Sequence, residues 1–201
     1  MTLTVFCLIA YVAGSVNASI LILKLRTTQD PRTLHSKNAG TSNVCRILGW
    51  KWAGLVLLID VGKAFIISAL ASRLLSVSAA PWVGLFLLLG NRFPCFHRFQ
   101  GGKGVAHFIG FSLFLTPLFT VLALAGWCVG YLVFRHAFAG SMVLTAILGM
   151  GLVRTPGTDL LGIAGIIACM GFIVLNHRNN LLAFVSKRQS RNASNKADET
   201  P

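Results

Sequence analysis

The sequence predicts an all-α, polytopic membrane protein of about seven transmembrane helices, on three observations: an apolar composition, a series of separated apolar stretches, and a one-sided distribution of basic residues. The 201 residues are 55% hydrophobic and only 11% charged, whereas about a quarter of a soluble domain is charged. Spans are expected at about Leu3 to Leu23, Trp52 to Leu74, Pro81 to Gly90, Val105 to Thr116, Leu118 to Phe134, Phe138 to Val153 and Leu160 to Leu175. Several are shorter than the roughly 20 residues a perpendicular helix needs to cross the hydrocarbon core. The third and fourth are expected to continue into the segment between them. There Phe93, Phe96, Phe99 and Phe108 extend the apolar surface while neighbouring helices cover the backbone. No Lys or Arg precedes the first stretch, so it reads as an uncleaved span rather than a signal peptide.

Basic residues fix the expected orientation, because Lys and Arg in short loops stay on the cytoplasmic side. One side collects Lys24, Arg26, Arg32, Lys37, Arg46 and Lys51 in the first loop, then Arg92, Arg98, Lys103 and Arg135. Arg178, Lys187, Arg188, Arg191 and Lys196 follow on the same side, making fifteen of the eighteen. Arg73 and Arg154 fall opposite, and Lys63 lies within a span. An odd number of spans then puts the N-terminus outside and the C-terminus in the cytoplasm.

The same asymmetry, with attraction to anionic lipid headgroups, accounts for the net charge of +13, so nucleic-acid binding is not inferred. Residues 1–185 read as a single membrane domain, and the polar, mixed-charge stretch 186–201 as a disordered tail. Cys7, Cys45, Cys95, Cys128 and Cys169 show no metal or disulfide spacing. No metal site is expected.

Topology leaves the polar residues of the cytoplasmic segments unexplained. Ser36-Lys37-Asn38-Ala39-Gly40-Thr41-Ser42-Asn43 gathers hydroxyls and amides, with Arg46 close behind. Alone it reads as a solvated turn, but the planar Arg46 guanidinium suits a phosphate. Gln100-Gly101-Gly102-Lys103-Gly104 places three glycines and a lysine at the membrane boundary. Such a backbone can aim N–H groups at one anion, so a phosphate cradle is expected. It is not a Walker A sequence, since Gly104 stands where Ser or Thr is required. Asn176-His177-Arg178-Asn179-Asn180 follows the last span and supplies donors, acceptors and an imidazole. Asp60 and Lys63 share a helix face and read equally as a structural ion pair or as site support. Asn91 borders the glycine segment.

Taken together, Ser36-x-Asn38-x-Gly40-x-Ser42-Asn43-x-x-Arg46, Gly90 to Ala106 and His177-x-x-Asn180 resemble the three motifs of the bacterial membrane acyl-phosphate:glycerol-3-phosphate acyltransferases, the PlsY family. The resemblance spans nearly the whole chain and implies a seven-helix enzyme of the bacterial inner membrane with a cytoplasm-facing site. It implies acyl transfer from acyl phosphate to the 1-hydroxyl of glycerol 3-phosphate, without cofactor or metal. Ser36, Arg46, His177 and Asn180 would then be catalytic. Asn38, Gly40, Ser42, Asn43, Gly101, Gly102, Lys103 and Gly104 would bind substrate, with Asp60, Lys63 and Asn91 in support. Ser36, His177 and a substrate phosphate oxygen remain three candidates for handling the hydroxyl proton.

The chain departs from the family pattern at Asn91, where histidine is usual, and at Gln100, where lysine is usual. His35 and Ala39 replace a glycine and a proline, Asn176 and Ala183 replace arginines, and Gln189 replaces a glutamate. The alternatives carried are a catalytically weakened relative that binds lipid precursors or a membrane partner, an acyltransferase with an altered acceptor, and, more weakly, a transporter. His97 and His107 are additional histidines near the second motif.

Overall fold

The computed structural model describes residues 2–186, and these are helical throughout their regular structure. In chain order the helices are α1 (Leu3–Ser15), α2 (Ala18–Arg26), α3 (Thr41–Leu48), α4 (Trp50–Leu74), α5 (Ala80–Arg92), α6 (Val105–Leu115), α7 (Pro117–Phe134), α8 (Ala137–Val153) and α9 (Leu160–Asn176). α10 (Arg178–Ser186) is bent by 52° from α9. A short 3-10 turn, Cys95–His97, sits in the loop after α5. Gln189 and all but Ser186 of the expected tail lie outside the described residues.

Three of the expected boundaries are corrected. The first span is interrupted at Val16 and Asn17, where the Asn17 side chain caps α2 by accepting from the Ile20 N–H at 3.1 Å. The first polar loop contains a helix, α3, which begins at Thr41 after the extended Gly40 and closes at Gly49 in a positive-φ conformation. The final polar segment turns at His177 and continues as α10. Elsewhere the ends follow local chemistry: Pro81 and Pro117 occupy first-turn positions of α5 and α7, and the Asp159 carboxylate accepts from Gly162 N–H at the start of α9.

By length and apolarity three helical stretches among the described residues can cross a bilayer: Leu3–Arg26, Trp50–Leu74 and Pro117–Phe134. Counting the bent α9–α10 pair makes four, and Val105–Leu115 and Ala137–Val153 are shorter apolar helices. α7 carries Leu118, Val121, Leu122, Val129, Leu132 and Val133 outward, an exposed apolar face that lipid satisfies and water does not.

α5 and α6 form the centre. On one side Phe6, Ala10, Ala64, Ile67, Val83, Leu87 and Phe111 join α1, α4, α5 and α6. On the other, Leu88, Phe108, Leu144, Leu148, Ile166 and Ile173 join α5, α6, α8 and α9, with Ala123 from α7. A smaller cluster of Ala18, Ile22, Leu23, Val44 and Val56 seats α2 and α3 on α4. Small residues let backbones meet where dispersion must hold helices together. A Cβ on Gly14 would lie 2.2 Å from the Leu87 carbonyl oxygen, and one on Gly110 would lie 2.2 Å from that of Val61. These crossings set α1 on α5 and α4 on α6, and hold the ends that carry the polar loops together.

Candidate active site

At that end lies a cavity of about 550 Å³, within the size range of small-molecule sites. Three helix starts border it, Thr41 and Ser42 of α3, Val105, Ala106 and His107 of α6, and Ala137 and Phe138 of α8, while Asn180 of α10 lines it with its N–H donated to the His177 carbonyl. First-turn N–H groups have no intrahelical acceptor and carry the positive end of the helix dipole, so this convergence favours an anion. Arg46, Lys103 and Arg135 add side-chain charge. The one lining carboxylate, Asp60, is engaged by Lys63 at 2.9 Å.

Most of the sequence-predicted residues meet here. Ser36, Asn38, Gly40, Ser42, Asn43, Arg46, Asp60, Asn91, Gly102, Lys103, Gly104, His177 and Asn180 all line the cavity. Gly101 and Lys63 do not border it. Lys63 turns to the break between α1 and α2, where its ammonium donates to the Val16 carbonyl while forming an ion pair with Asp60. Lys63 thus fastens α4 to the N-terminal span at its break.

The glycine segment works differently from the expected cradle. The Gly101 N–H donates to the Arg92 carbonyl and the Gly102 N–H to the Asn91 carbonyl, each at 3.0 Å. Those two donors close the loop onto the end of α5 instead of facing an anion. Their lack of side chains is a packing requirement, since a Cβ would fall 1.9 Å from the Asn91 carbonyl oxygen at Gly101 and 2.5 Å from that of Ala39 at Gly102. Gly104, at φ +92°, then turns the chain into α6 and leaves that helix's first N–H groups at the cavity.

Lys103 is held across the cavity wall by Asn180, whose Oδ1 accepts from its ammonium, while Asn176 donates to the Lys103 carbonyl at 3.4 Å. Burial, followed by the Arg92 and Arg46 charges, lowers the Lys103 pKa to about 8. A cation surrounded by like charges is relieved by a bound anion. Burial also lowers the His177 pKa to about 4, with the Lys103 charge acting the same way and a hydrogen bond to the Ile173 carbonyl opposing both. His177 is therefore neutral near pH 7. Its Nδ1, 2.9 Å from the Ile173 oxygen, carries the proton, which makes Nε2 the acceptor.

Asn43 is absorbed by the loop. Its amide donates to the Pro31 and Leu34 carbonyls at 2.7 and 3.1 Å and accepts from the Ser36 N–H at 3.2 Å. Among the described residues the Ser36 hydroxyl has no hydrogen-bond partner, so none of them is placed as a base activates a hydrolase serine. Arg32 ties the two loops together: it pairs with Asp30 and donates to the carbonyls of His97 at 2.7 Å and Gln100 at 3.4 Å.

Several lining residues had no signal in the motifs. His107 on α6 lies 3.8 Å from Asp60. Ser141 of α8 borders the polar end, and Leu57, Ile109, Leu124, Trp127 and Leu144 continue the cavity as an apolar arm between α4, α6, α7 and α8. At the rim, Phe184 of α10 stacks edge-on against His136 and Phe138, with ring centres 5.3 and 5.5 Å away. That aromatic joint seats α10 beside the turn from α7 to α8.

The profile of the family described as Glycerol-3-phosphate acyltransferase matches residues 4–187. The chain belongs to the glycerol-3-phosphate acyltransferase family. A member from Pseudomonas aeruginosa is 35% identical over 184 residues, covering 90% of this chain and 95% of the relative. One from Cupriavidus pinatubonensis is 32% identical, covering 92% and 94%. Among solved structures, the glycerol 3-phosphate form of PlsY (YgiH), an integral membrane glycerol 3-phosphate acyltransferase, superposes with a TM-score of 0.85 at 28% identity, over 92% of this chain and 93% of that one. Its lysophosphatidic acid form gives 0.83 at 26% identity. As an acyltransferase family member with outward apolar helices, the chain is an integral membrane protein of lipid synthesis.

Proposed function

We propose that this acyltransferase moves a fatty acyl group from acyl phosphate to the 1-hydroxyl of glycerol 3-phosphate, releasing 1-acylglycerol 3-phosphate and phosphate. The observation that carries the reading is one cavity with two unlike ends. Cations and three helix starts surround the polar end, and an apolar arm leads away from it. Two phosphates and one alkyl chain are what the two substrates bring. The solved PlsY forms with glycerol 3-phosphate and with lysophosphatidic acid support the acceptor and the product class.

Lys103, Arg46 and the first turns of α3 and α6 hold the phosphates, with Ser36, Asn38, Gly40 and Ser42 along the first loop and Gly102 and Gly104 along the second. Asn180 orients Lys103. Asn43, Gly101, Asp60 and Lys63 maintain the loop and helix geometry around them. Acyl phosphate is already activated, so the hydroxyl attacks the acyl carbonyl directly, the tetrahedral oxyanion is stabilised by the cationic wall, and the acyl–phosphate bond breaks. A phosphate monoester oxygen, with a second pKa of about 6, is a stronger base than His177 with its pKa of about 4. The proton therefore passes to a substrate phosphate oxygen, while His177 Nε2 accepts from the other hydroxyl of glycerol 3-phosphate and so orients the acceptor. No cofactor or metal enters this scheme.

The topology that accompanies this reading has seven membrane segments, the shorter helices crossing as parts of the bundle, in one domain over residues 1–185. The N-terminus is outside and the cavity faces the cytoplasm of a bacterial inner membrane. Purified protein in lipid or detergent should form 1-acylglycerol 3-phosphate when given acyl phosphate and glycerol 3-phosphate, with other acceptor alcohols as comparison. Correctly folded protein that binds glycerol 3-phosphate without turnover would overturn the enzymatic reading in favour of a binding relative.

A further inference from the structure

Asn17 belongs to none of the motifs, yet it is completely buried at the break between α1 and α2, inside an otherwise apolar span. Its side chain makes three hydrogen bonds to three separated segments. Oδ1 accepts from the Ile20 N–H at 3.1 Å; Nδ2 donates to the Ala39 carbonyl at 3.4 Å and to Asn91 Oδ1 at 3.3 Å. Ala39 lies in the first site loop, and Asn91 borders the cavity while only 3% exposed.

These bonds fix which way both amides face. A backbone N–H can only donate, so the atom of Asn17 facing Ile20 is its oxygen. The nitrogen is then directed at Ala39, whose carbonyl can only accept, and at Asn91, whose facing atom must be oxygen. Asn91 is left with its Nδ2, which has no acceptor among the described residues, beside Gly102 at the cavity wall. That nitrogen is open to the cavity rather than sealed in the core, so a ligand oxygen can take the place of water as its acceptor.

We infer that Asn17 is a positioning residue that holds the Asn91 amide so that its N–H₂ is a fixed donor to a phosphate oxygen of the substrate. The inference rests on the acyltransferase reading of the cavity and extends it to a residue 74 positions away in sequence. The donor does not titrate, so its contribution is independent of pH across the working range.

Asn17→Asp tests the relay with almost no change in shape: the carboxylate still caps α2 at Ile20 but cannot donate to Asn91, whose amide then flips and presents oxygen to the anion. Asn17→Ser keeps the cap with a neutral, shorter group that does not reach Asn91. Binding of glycerol 3-phosphate and of inorganic phosphate is measured by calorimetry on purified protein whose folding is checked by its melting temperature. Both variants are expected to weaken binding about tenfold or more, the scale of one hydrogen bond to a charged group. In an Asn91→Leu background, Asn17→Ser should weaken binding no further. Wild-type affinity in folded Asn17→Ser, or an equal loss with and without Asn91, overturns the relay while leaving the acyltransferase reading intact. Absence of phosphate binding by the wild-type protein overturns the reading of the cavity and the relay with it.

Discussion

At the scale of single residues, Lys103 and His177 are coupled in opposite senses to pH. Lys103 has its pKa lowered to about 8 by burial and by Arg92 and Arg46, so its charge is complete below that value and lost above it. Phosphate binding should follow the charge: kcat/KM for glycerol 3-phosphate falls as pH rises through about 8. In Lys103→Arg that alkaline limb moves beyond pH 10, because a guanidinium stays protonated. Lys103→Met should raise KM for glycerol 3-phosphate at least tenfold, as expected for removing a charge-assisted contact. His177, lowered to about 4 by burial, is neutral from pH 5 upward and should impose no acidic limb near 6.5. An activity profile falling through 6.5, and abolished in His177→Asn, would contradict a buried neutral imidazole. Unfolded histidine takes a proton near 6.5, so His177 costs the folded protein stability as pH falls from 6.5 towards 4. Lys103, His177 and Asn180 were legible in the sequence because their residue types are rare and chemically selective. Asn17 was not, since one asparagine in an apolar run carries no sign of the partners that distant segments will bring.

Between elements, the glycines separate two functions that their spelling does not distinguish. Gly110 faces the Val61 carbonyl at the crossing of α4 and α6, whereas Gly62, on the same α4, has open space around it. Gly110→Ala should lower the melting temperature in detergent sharply. Gly62→Ala should leave it unchanged or raise it, since Ala is favoured over Gly in a helix by about 1 kcal/mol. Equal melting temperatures for the two variants would mean that the crossing does not depend on backbone approach. The run from Gly101 to Gly104 shows why the sequence misled in part. It announces a bent backbone, and the backbone is bent, but two of its N–H groups close onto α5 and the anion-facing donors belong to the helix that follows. α3 went unread for a related reason. Ser, Asn and Gly dominate its entry, while Val44, Ile47 and Leu48, spaced for one helical face, carry its real signal against α2 and α4.

Across the whole molecule, the proposed topology puts α3 and the loop after α5 on the cytoplasmic face. Cys45 and Cys95 are exposed there, whereas Cys7 and Cys169 are buried in the bundle and Cys128 is on the outward face of α7. A membrane-impermeant maleimide should label Cys45 and Cys95 in inverted vesicles and neither in right-side-out vesicles. Labelling from the opposite side would reverse the orientation. The class of the chain was legible because composition is a global property. The number of crossings was less so: apolar length marks a span only when the helix meets lipid along its length, and here short helices such as α6 are covered by their neighbours.

The buried bond between Asn17 and Asn91 also sets an order of events while the chain is being made. Asn17 enters the membrane with the first helical pair, but Ala39 and Asn91 are synthesised 22 and 74 residues later. At about 5 to 20 residues per second it waits several seconds without its partners. During that interval the break between α1 and α2 is held first by its own cap, then by Ala39 and Lys63, and only last by Asn91.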